Sequence, residues 1–436
     1  MTTRIFAAAL IAISLASTSA QARLTPVEQR IIAAVDADQA RQLSLLERLV
    51  NQNSGSHNID GVTRVGAMMD AEFKALGFQT RWIDMRAAGR AGHLIATHKG
   101  NGRGKRLLLI GHLDTVFEPD SPFQQWKRTG NDGTGPGAGD DKGGIVTILS
   151  ALRAMKSAGT LASADIEVVL TGDEEDTGSP LDLARRDLVD AGKRADVALD
   201  FEGLSVDDGK DMGVIARRGS MSWTVKATAI PSHSSGIFSK ASGYGAIYEL
   251  VRILDDFRRQ LTDDKLTYNV GLIGGGQTAA LDQGEIRLEA TGKTNIIPAV
   301  AVARGDLRAL TPQQVDRTRA KMAAIVANHL PGTNASIEFG VDAYPPMAPT
   351  AGNRALLARL NAVNADLGLA AQAELDPLKR GAGDISFVAA DVDGLVGLGP
   401  ASIGDHAPGE TVDIASIWRQ AKRAAILMSR LAAEPR

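Results

Sequence analysis

Short apolar runs that stop abruptly at glycine or at acidic residues set the architecture this chain can adopt. Residues 107–110 (LLLI) and 166–170 (IEVVL), and a shorter run ending at Leu199, are too brief for helices and read as buried strands. Helix-like stretches at 26–50, 62–76 and 145–158 lie among them, the second stopped by Gly77, so strands and helices alternate up to about Gly213. That alternation points to an α/β fold, a mixed sheet covered by helices on both faces. At 436 residues the chain exceeds one ordinary core, so more than one domain is expected.

From Ser220 the pattern changes. SWTVKATAI alternates as a strand does, a helix follows near 244–261, and strands are expected at 268–272, 285–290 and 300–307. A helix near 312–329 and a strand at 336–339 complete the block. This reads as an α+β lid over 217–343, inserted between two parts of the α/β domain at 23–216 and 344–436. No linker, repeat or low-complexity tract stands out.

What ends the apolar runs carries the chemistry. His112 and Asp114, in GHLDT, are two apart on extended chain and point to one face. A metal-bound imidazole usually donates its second N–H to an oxygen, which makes His112 a ligand and Asp114 its supporting carboxylate. Asp140 lies in the glycine-rich turn GPGAGDDKGG (135–144), which leads into a helix. Such a loop can also cradle phosphate, but no GK[ST] follows and two carboxylates would repel an anion. After IEVVL come the consecutive acids Asp173, Glu174, Glu175 and Asp176, at the carboxyl end of a strand, where α/β sheets bind ligands. Of Glu174 and Glu175, one can hold metal and the other take a proton from water; spacing alone does not choose between them. Asp200 and Glu202 follow the next strand, and His406 lies in GDHAPGE (404–410). Two histidines and at least three carboxylates suffice for two Zn²⁺ ions sharing a bridging carboxylate.

In their order along the chain, these motifs resemble the zinc-dependent metallopeptidase family of glutamate carboxypeptidase, aminoacylase, acetylornithine deacetylase and succinyl-diaminopimelate desuccinylase. The resemblance implies a zinc-exopeptidase catalytic domain whose lid also makes the dimer. Matched residue by residue, it implies His112 and Glu202 on one zinc, Glu175 and His406 on the other, Asp140 between them and Glu174 as general base. It prefers Glu202 to Asp200 by matching DFEG to the family's FEP, although Gly203 stands where the carboxypeptidase branch usually has proline. Co²⁺ or Mn²⁺ are the implied substitutes for zinc.

In the lid, His233 in PSHSSG resembles the family's SHAG motif, whose histidine reaches the active site of the partner subunit and stabilises the oxyanion. Asn295 in TNIIP and Arg308 in GDLR match the family's NIIP and DVR segments and keep their separation of thirteen. A guanidinium fork suits a substrate α-carboxylate, while the bland reading of Arg308 is a salt bridge to Asp306. Gly383 in RGAGD resembles the family's GGGTD segment, where a missing side chain lets the backbone approach substrate. His57, His93, His98 and His329 match no motif and read as structural or exposed.

A formal net charge of −3 gives no electrostatic reason to expect nucleic acid. With no cysteine, disulfides and thiolate zinc sites are excluded. Arg4, the apolar run 5–16 and Ala20-Gln21-Ala22 form a secretory signal, with cleavage expected after Ala22 and export to a periplasm or beyond. The run is shorter than the roughly 20 residues a membrane span needs, so no membrane association is expected after cleavage.

The expected function is hydrolysis of an amide next to a free carboxylate by an exported di-zinc homodimer. The favoured form is a carboxypeptidase releasing a C-terminal amino acid such as glutamate from a small peptide or N-acyl amino acid. The alternatives are an N-acyl amino acid deacylase or dipeptidase of the same family, and, from another class, a non-catalytic metal- or peptide-binding protein. The last would have lost the base or a ligand, and none is missing.

Overall fold

The computed structural model of the protein describes residues 24–341 and 343–436, so the expected signal at 1–22 lies outside the described residues. Among those described, no helix is long and apolar enough to cross a membrane.

The central sheet has six strands in the order Gln79–Asp84, Gly92–His98, Asp165–Thr171, Arg106–His112, Val197–Asp200 and Gly394–Leu395. The last four run parallel and Gly92–His98 is antiparallel to both of its neighbours, so the sheet is mixed as expected. Leu107 and Leu109 enter one core, shared with Leu46 and Leu49 of Pro26–Val50, Ile148 and Leu152 of Lys142–Ala158, and Ile417 and Leu427 of Ile414–Ala433. Leu108 and Ile110 enter the other, against Leu188, Ala191, Ile385 and Val388. Burial on both faces is why these strands read as unbroken apolar runs rather than alternating ones. Each such side chain contributes about 1.5–3 kcal/mol by leaving water.

One helix starts earlier than hydrophobic periodicity suggests, because a polar residue fixes its first turn. The helix expected from 62 spans Ile59–Leu76, its first turn capped by the Asn58 side chain, which accepts the Gly61 N–H at 3.0 Å. It ends at Gly77, whose φ of 97° is the left-handed conformation of a C-terminal cap.

Between 219 and 339 a second, antiparallel sheet has the order Thr267–Gly276, Val300–Ala309, Gly219–Ala229 and Thr333–Phe339. Trp223, Val225 and Ala227 pack with Leu250, Ile253 and Phe257 of the helix Ala246–Gln260 and with Met322 and Ile325 of Pro312–Val326. The strand expected at 285–290 is displaced to Leu288–Thr291, where it forms a hairpin with Thr278–Leu281. Asp282 Oδ1 accepts the N–H groups of Ile286 and Arg287, both at 3.0 Å, and Glu285 takes φ 56°, so 282–287 is turn.

A small sheet not foreseen in the sequence matters most for the site. Its order is Ser402–Ile403, Thr411–Asp413, Asp132–Thr134 and Lys127–Thr129. It ties the hairpin that carries His406 to the strand that feeds the glycine-rich loop.

Candidate metal centre and active site

The parallel register brings the chemical residues to one edge. His112 pairs with Thr171 and Ile110 with Asp200, so GHLDT, TGDEED and DFEG all leave the sheet at its carboxyl end. The glycine-rich loop crosses that edge, Gly137 taking φ 75° in the turn, and the hairpin tip brings His406 in from the far side at φ 64°.

These loops converge on Asp140. Its Oδ1 lies 3.0 Å from His112 Nε2 and its Oδ2 lies 3.1 Å from His406 Nε2. His406 Nε2 is also 3.1 Å from Glu175 Oε2. Ligating atoms of His112, Asp140 and Glu175 lie within 4.8 Å of one another. A carboxylate turning one oxygen to each of two imidazoles, with a further carboxylate on the second, is a nitrogen and oxygen donor set that fits a pair of divalent ions such as Zn²⁺.

Asp114 is the hub beneath this cluster. Its carboxylate faces His112 Nδ1 at 3.4 Å, and it accepts Ser56 Oγ–H at 2.6 Å and the N–H groups of Glu174 and Glu175 at 3.0 and 3.1 Å. Burial opposes its charge, yet His112, Ser56 and the Glu174 N–H hold its carboxyl below the usual range. Burial likewise opposes the charge on Asp140, and His112 and His406 hold that carboxyl well below its ordinary value. Glu174 goes the other way: burial first, and then the charge of Glu202, push its carboxyl well above the usual range. An elevated carboxyl beside ligand-type residues suits a group that must take up and return a proton.

Glu202 lies at the same edge, but its Oε2 pairs with Arg217 Nη1 at 2.6 Å and approaches Arg380 Nη2 at 3.6 Å. Asp200 lies behind it, accepting the Glu202 N–H at 3.1 Å. Gly383 is crowded against this pair: a Cβ there would stand 2.2 Å from Arg217 Nη1 and 2.4 Å from Glu202 Oε1. Its φ of −177° is open to any residue, so close approach, not backbone freedom, requires glycine here. The contact that demands it is with Glu202 and Arg217, where the sequence suggested substrate.

The candidate residues of the 217–343 block form a separate group. Ser234 N–H donates to Asn295 O at 2.9 Å, and His233 Nδ1 lies 2.8 Å from Ser235 Oγ, so the PSHSSG and TNIIP segments are paired. Arg308 Nε donates to Asp306 Oδ2 at 2.9 Å, the salt bridge of the bland reading, while its Nη1 borders Gly381. Among the described residues of the single chain, His233, Asn295 and Arg308 make no hydrogen bond or ion pair to the Asp140 cluster. Of the unassigned histidines, His93 is buried between Ala184 O and the Gly172 N–H, and exposed His57 pairs with Asp176.

Two supporting residues escaped the sequence reading. Glu410, four residues after His406 and inside a quoted motif, accepts the N–H groups of Gly137, Gly139 and Asp140. Arg217 also donates to Gly381 O at 2.7 Å and to Ala382 O, and nothing in the sequence marks it except an adjacent second arginine.

Fold and donor set are those of a metal-dependent hydrolase. The chain belongs to peptidase family M20/M25/M40, whose sequence model matches residues 108–430. It is 31% identical over 284 residues to carboxypeptidase G2 of Pseudomonas sp. (strain RS-16), which covers 63% of this chain and only 61% of that relative. It is 26% identical over 394 residues to succinyl-diaminopimelate desuccinylase of Cupriavidus necator, covering 85% of this chain and 94% of that one. Aminopeptidase PepT from Bacillus cereus shares the fold with a TM-score of 0.71 at 18% identity, over 90% of this chain and 99% of its own. The chain is thus an enzyme of a metallopeptidase and amidohydrolase family.

Proposed function

We propose that the protein is a di-zinc carboxypeptidase that releases a C-terminal amino acid such as glutamate by cleaving the amide beside its free carboxylate. One observation carries this reading: Asp140 turns one oxygen to His112 and the other to His406, with Glu175 on the second imidazole and Glu174 beside it in sequence. Likeness to carboxypeptidase G2 supports the choice of substrate class.

In this reading His112, Asp140 and Glu202 would hold one ion and Asp140, Glu175 and His406 the other. The ions, when bound, supply Lewis-acid polarisation of the amide carbonyl and acidify water. Glu174 takes the proton of the attacking water on its carboxylate and returns it to the leaving nitrogen. Asp114 orients the His112 ring through Nδ1. His233, from the partner subunit, donates to the developing oxyanion, and Arg308 with Asn295 receives the substrate carboxylate.

The 217–343 block is assigned as lid and dimerisation domain. Among the described residues its edge strand Thr267–Gly276 is bonded on one side only, and Ile273 and Val270 on it and Tyr248 and Val251 on the neighbouring helix are exposed. Such an edge beside apolar surface suits a second copy. Export through the signal at 1–22 belongs to the same proposal and is checked by the N-terminal sequence of the mature protein.

Glu174→Gln tests the assignment: turnover should fall by about 10²–10⁴-fold while metal per subunit stays at wild type. Retained activity would overturn it. The coverage by desuccinylases favours a second reading, an N-acyl amino acid deacylase. Release rates from dipeptides and from N-acyl amino acids separate the two.

A further inference from the structure

Two chain segments connect the inserted block to the catalytic part, and they pair with each other. Arg217 and Met347 exchange backbone hydrogen bonds at 3.0 and 2.9 Å, and Ser220 and Tyr344 do so at 3.0 Å in both directions. Ser220 lies within the lid strand Gly219–Ala229, so the backbone of Tyr344 is fixed to the lid.

Its side chain is fixed to the other body. The hydroxyl donates to Glu174 O at 2.9 Å, lies 2.7 Å from Thr177 Oγ1 and accepts from Arg185 Nη2 at 3.3 Å. The ring rests on Phe387, centroids 4.8 Å apart. A phenol has one proton and two acceptor sites. With the proton on Glu174 O, Thr177 and Arg185 must be the donors, and every position is filled. Arg185 is itself immobilised, buried between Asp173 Oδ1 at 2.6 Å and Asp384 Oδ1 at 2.8 Å, and Thr171 Oγ1 holds the far oxygen of Asp384 at 2.5 Å.

Both polar groups of the Glu174 backbone are therefore anchored. Its N–H is held by Asp114, the carboxylate that faces His112, and its C=O by Tyr344, a residue of the lid stem. With these fixed, the Glu174 side chain has only its own torsions left to vary. We propose that Tyr344 is a positioning residue for the Glu174 loop, linking the base to the stem that carries the lid. The catalytic half of this inference rests on Glu174 being the base; the mechanical half does not.

The test is Tyr344→Phe in the full, metal-loaded enzyme, which keeps the ring on Phe387 and removes only the hydroxyl. Two quantities are read: kcat and KM on the best substrate, and amide hydrogen exchange over 172–178 against the strand 106–112. The expected result is a kcat about tenfold lower at wild-type KM and metal content, the scale for partners that orient active groups. Exchange over 172–178 should rise several-fold while 106–112 is unchanged. Unchanged exchange over 172–178 overturns the proposal whatever kcat does, and faster exchange at wild-type kcat overturns the catalytic half. If the wild type turns over no substrate, the functional reading fails and exchange alone still decides whether Tyr344 holds the loop. Should the phenylalanine variant not fold, Thr177→Val removes a donor to the phenol together with an acceptor of Arg185 Nη2, and should raise exchange over 172–178 and lower kcat in the same direction; unchanged exchange there overturns the proposal.

Discussion

Replacing Glu410 by glutamine removes a charge at almost constant volume, and so isolates how a carboxylate holds the loop that presents Asp140. Its Oε1 accepts the N–H groups of Gly139 at 2.7 Å and Asp140 at 3.1 Å, and its Oε2 that of Gly137 at 3.2 Å. Burial pushes its carboxyl up to about 7, against the pull of the Asp140 and Gly139 N–H groups. At pH 8 the group is ionised and each bond is charge-assisted, contributing roughly 1.5–3 kcal/mol. Glutamine keeps one acceptor oxygen, enough for Gly139 and Asp140, but turns its NH₂ toward the Gly137 N–H. A stranded buried donor costs about 1–3 kcal/mol, partly offset because a charge no longer has to be buried. A net loss of about 2 kcal/mol at the loop corresponds to roughly 30-fold weaker metal binding, within the range for groups that orient ligands. Chelator-competition titration of metal-stripped Glu410→Gln with Zn²⁺ at pH 8 measures it. Undiminished affinity in a folded variant would refute the claim that Glu410 presents Asp140.

Gly383→Ala places a methyl 2.2 Å from Arg217 Nη1, so the pair with Glu202 must shift; a stability loss of about 1–3 kcal/mol by urea unfolding and a lower kcat/KM are expected, and a neutral result would mean the loop moves freely. Ile273→Glu puts a charge on the exposed edge strand and should convert the proposed dimer to monomer in light scattering; a persistent dimer would place the interface elsewhere, and a monomeric wild type would refute the dimer. Burial opposes the charge of Glu28, but Arg430 and Thr25 hold its carboxyl below the usual 4.5. Its contribution to stability is therefore present above about pH 4.5 and lost as pH falls through the lower folded value, so Glu28→Gln should flatten acid destabilisation below pH 4.5 and leave the slope above it unchanged.

The residues that converge on Asp140 were legible because they sit where strand patterns and glycine-rich turns end. His112 and Glu175 follow strands whose parallel register brings their ends together, while Asp140 and His406 follow glycines in a loop and a hairpin that the small antiparallel sheet ties to each other. The partners of these residues were not legible. Arg217 meets Glu202, and Tyr344 meets Glu174, only after the two lid connections pair, a contact no local pattern encodes. In the antiparallel block, alternation located Gly219–Ala229 but missed that Thr267–Gly276 runs on through three glycines, residues whose propensity argues against strand. Register against Val300–Ala309 overrides that propensity.

The arrangement also explains how so many acids can share one edge without a lysine or arginine for each. Asp114 accepts the N–H groups of Glu174 and Glu175, Glu410 those of Gly137, Gly139 and Asp140, and Asp200 that of Glu202. Three carboxylates are thus solvated by the backbone of the loops bearing the neighbouring functional residues. Each such contact lowers the cost of a buried negative charge and at the same time fixes the loop that presents the next one. Backbone dipoles add no net charge, so the negative potential of Asp140, Glu175 and Glu202 remains available to cations. Supporting the acids with arginines alone would have neutralised the site; Arg217 is the guanidinium bonded to a proposed ligand, and it sits on the Glu202 side, away from the Asp140 oxygens that face His112 and His406.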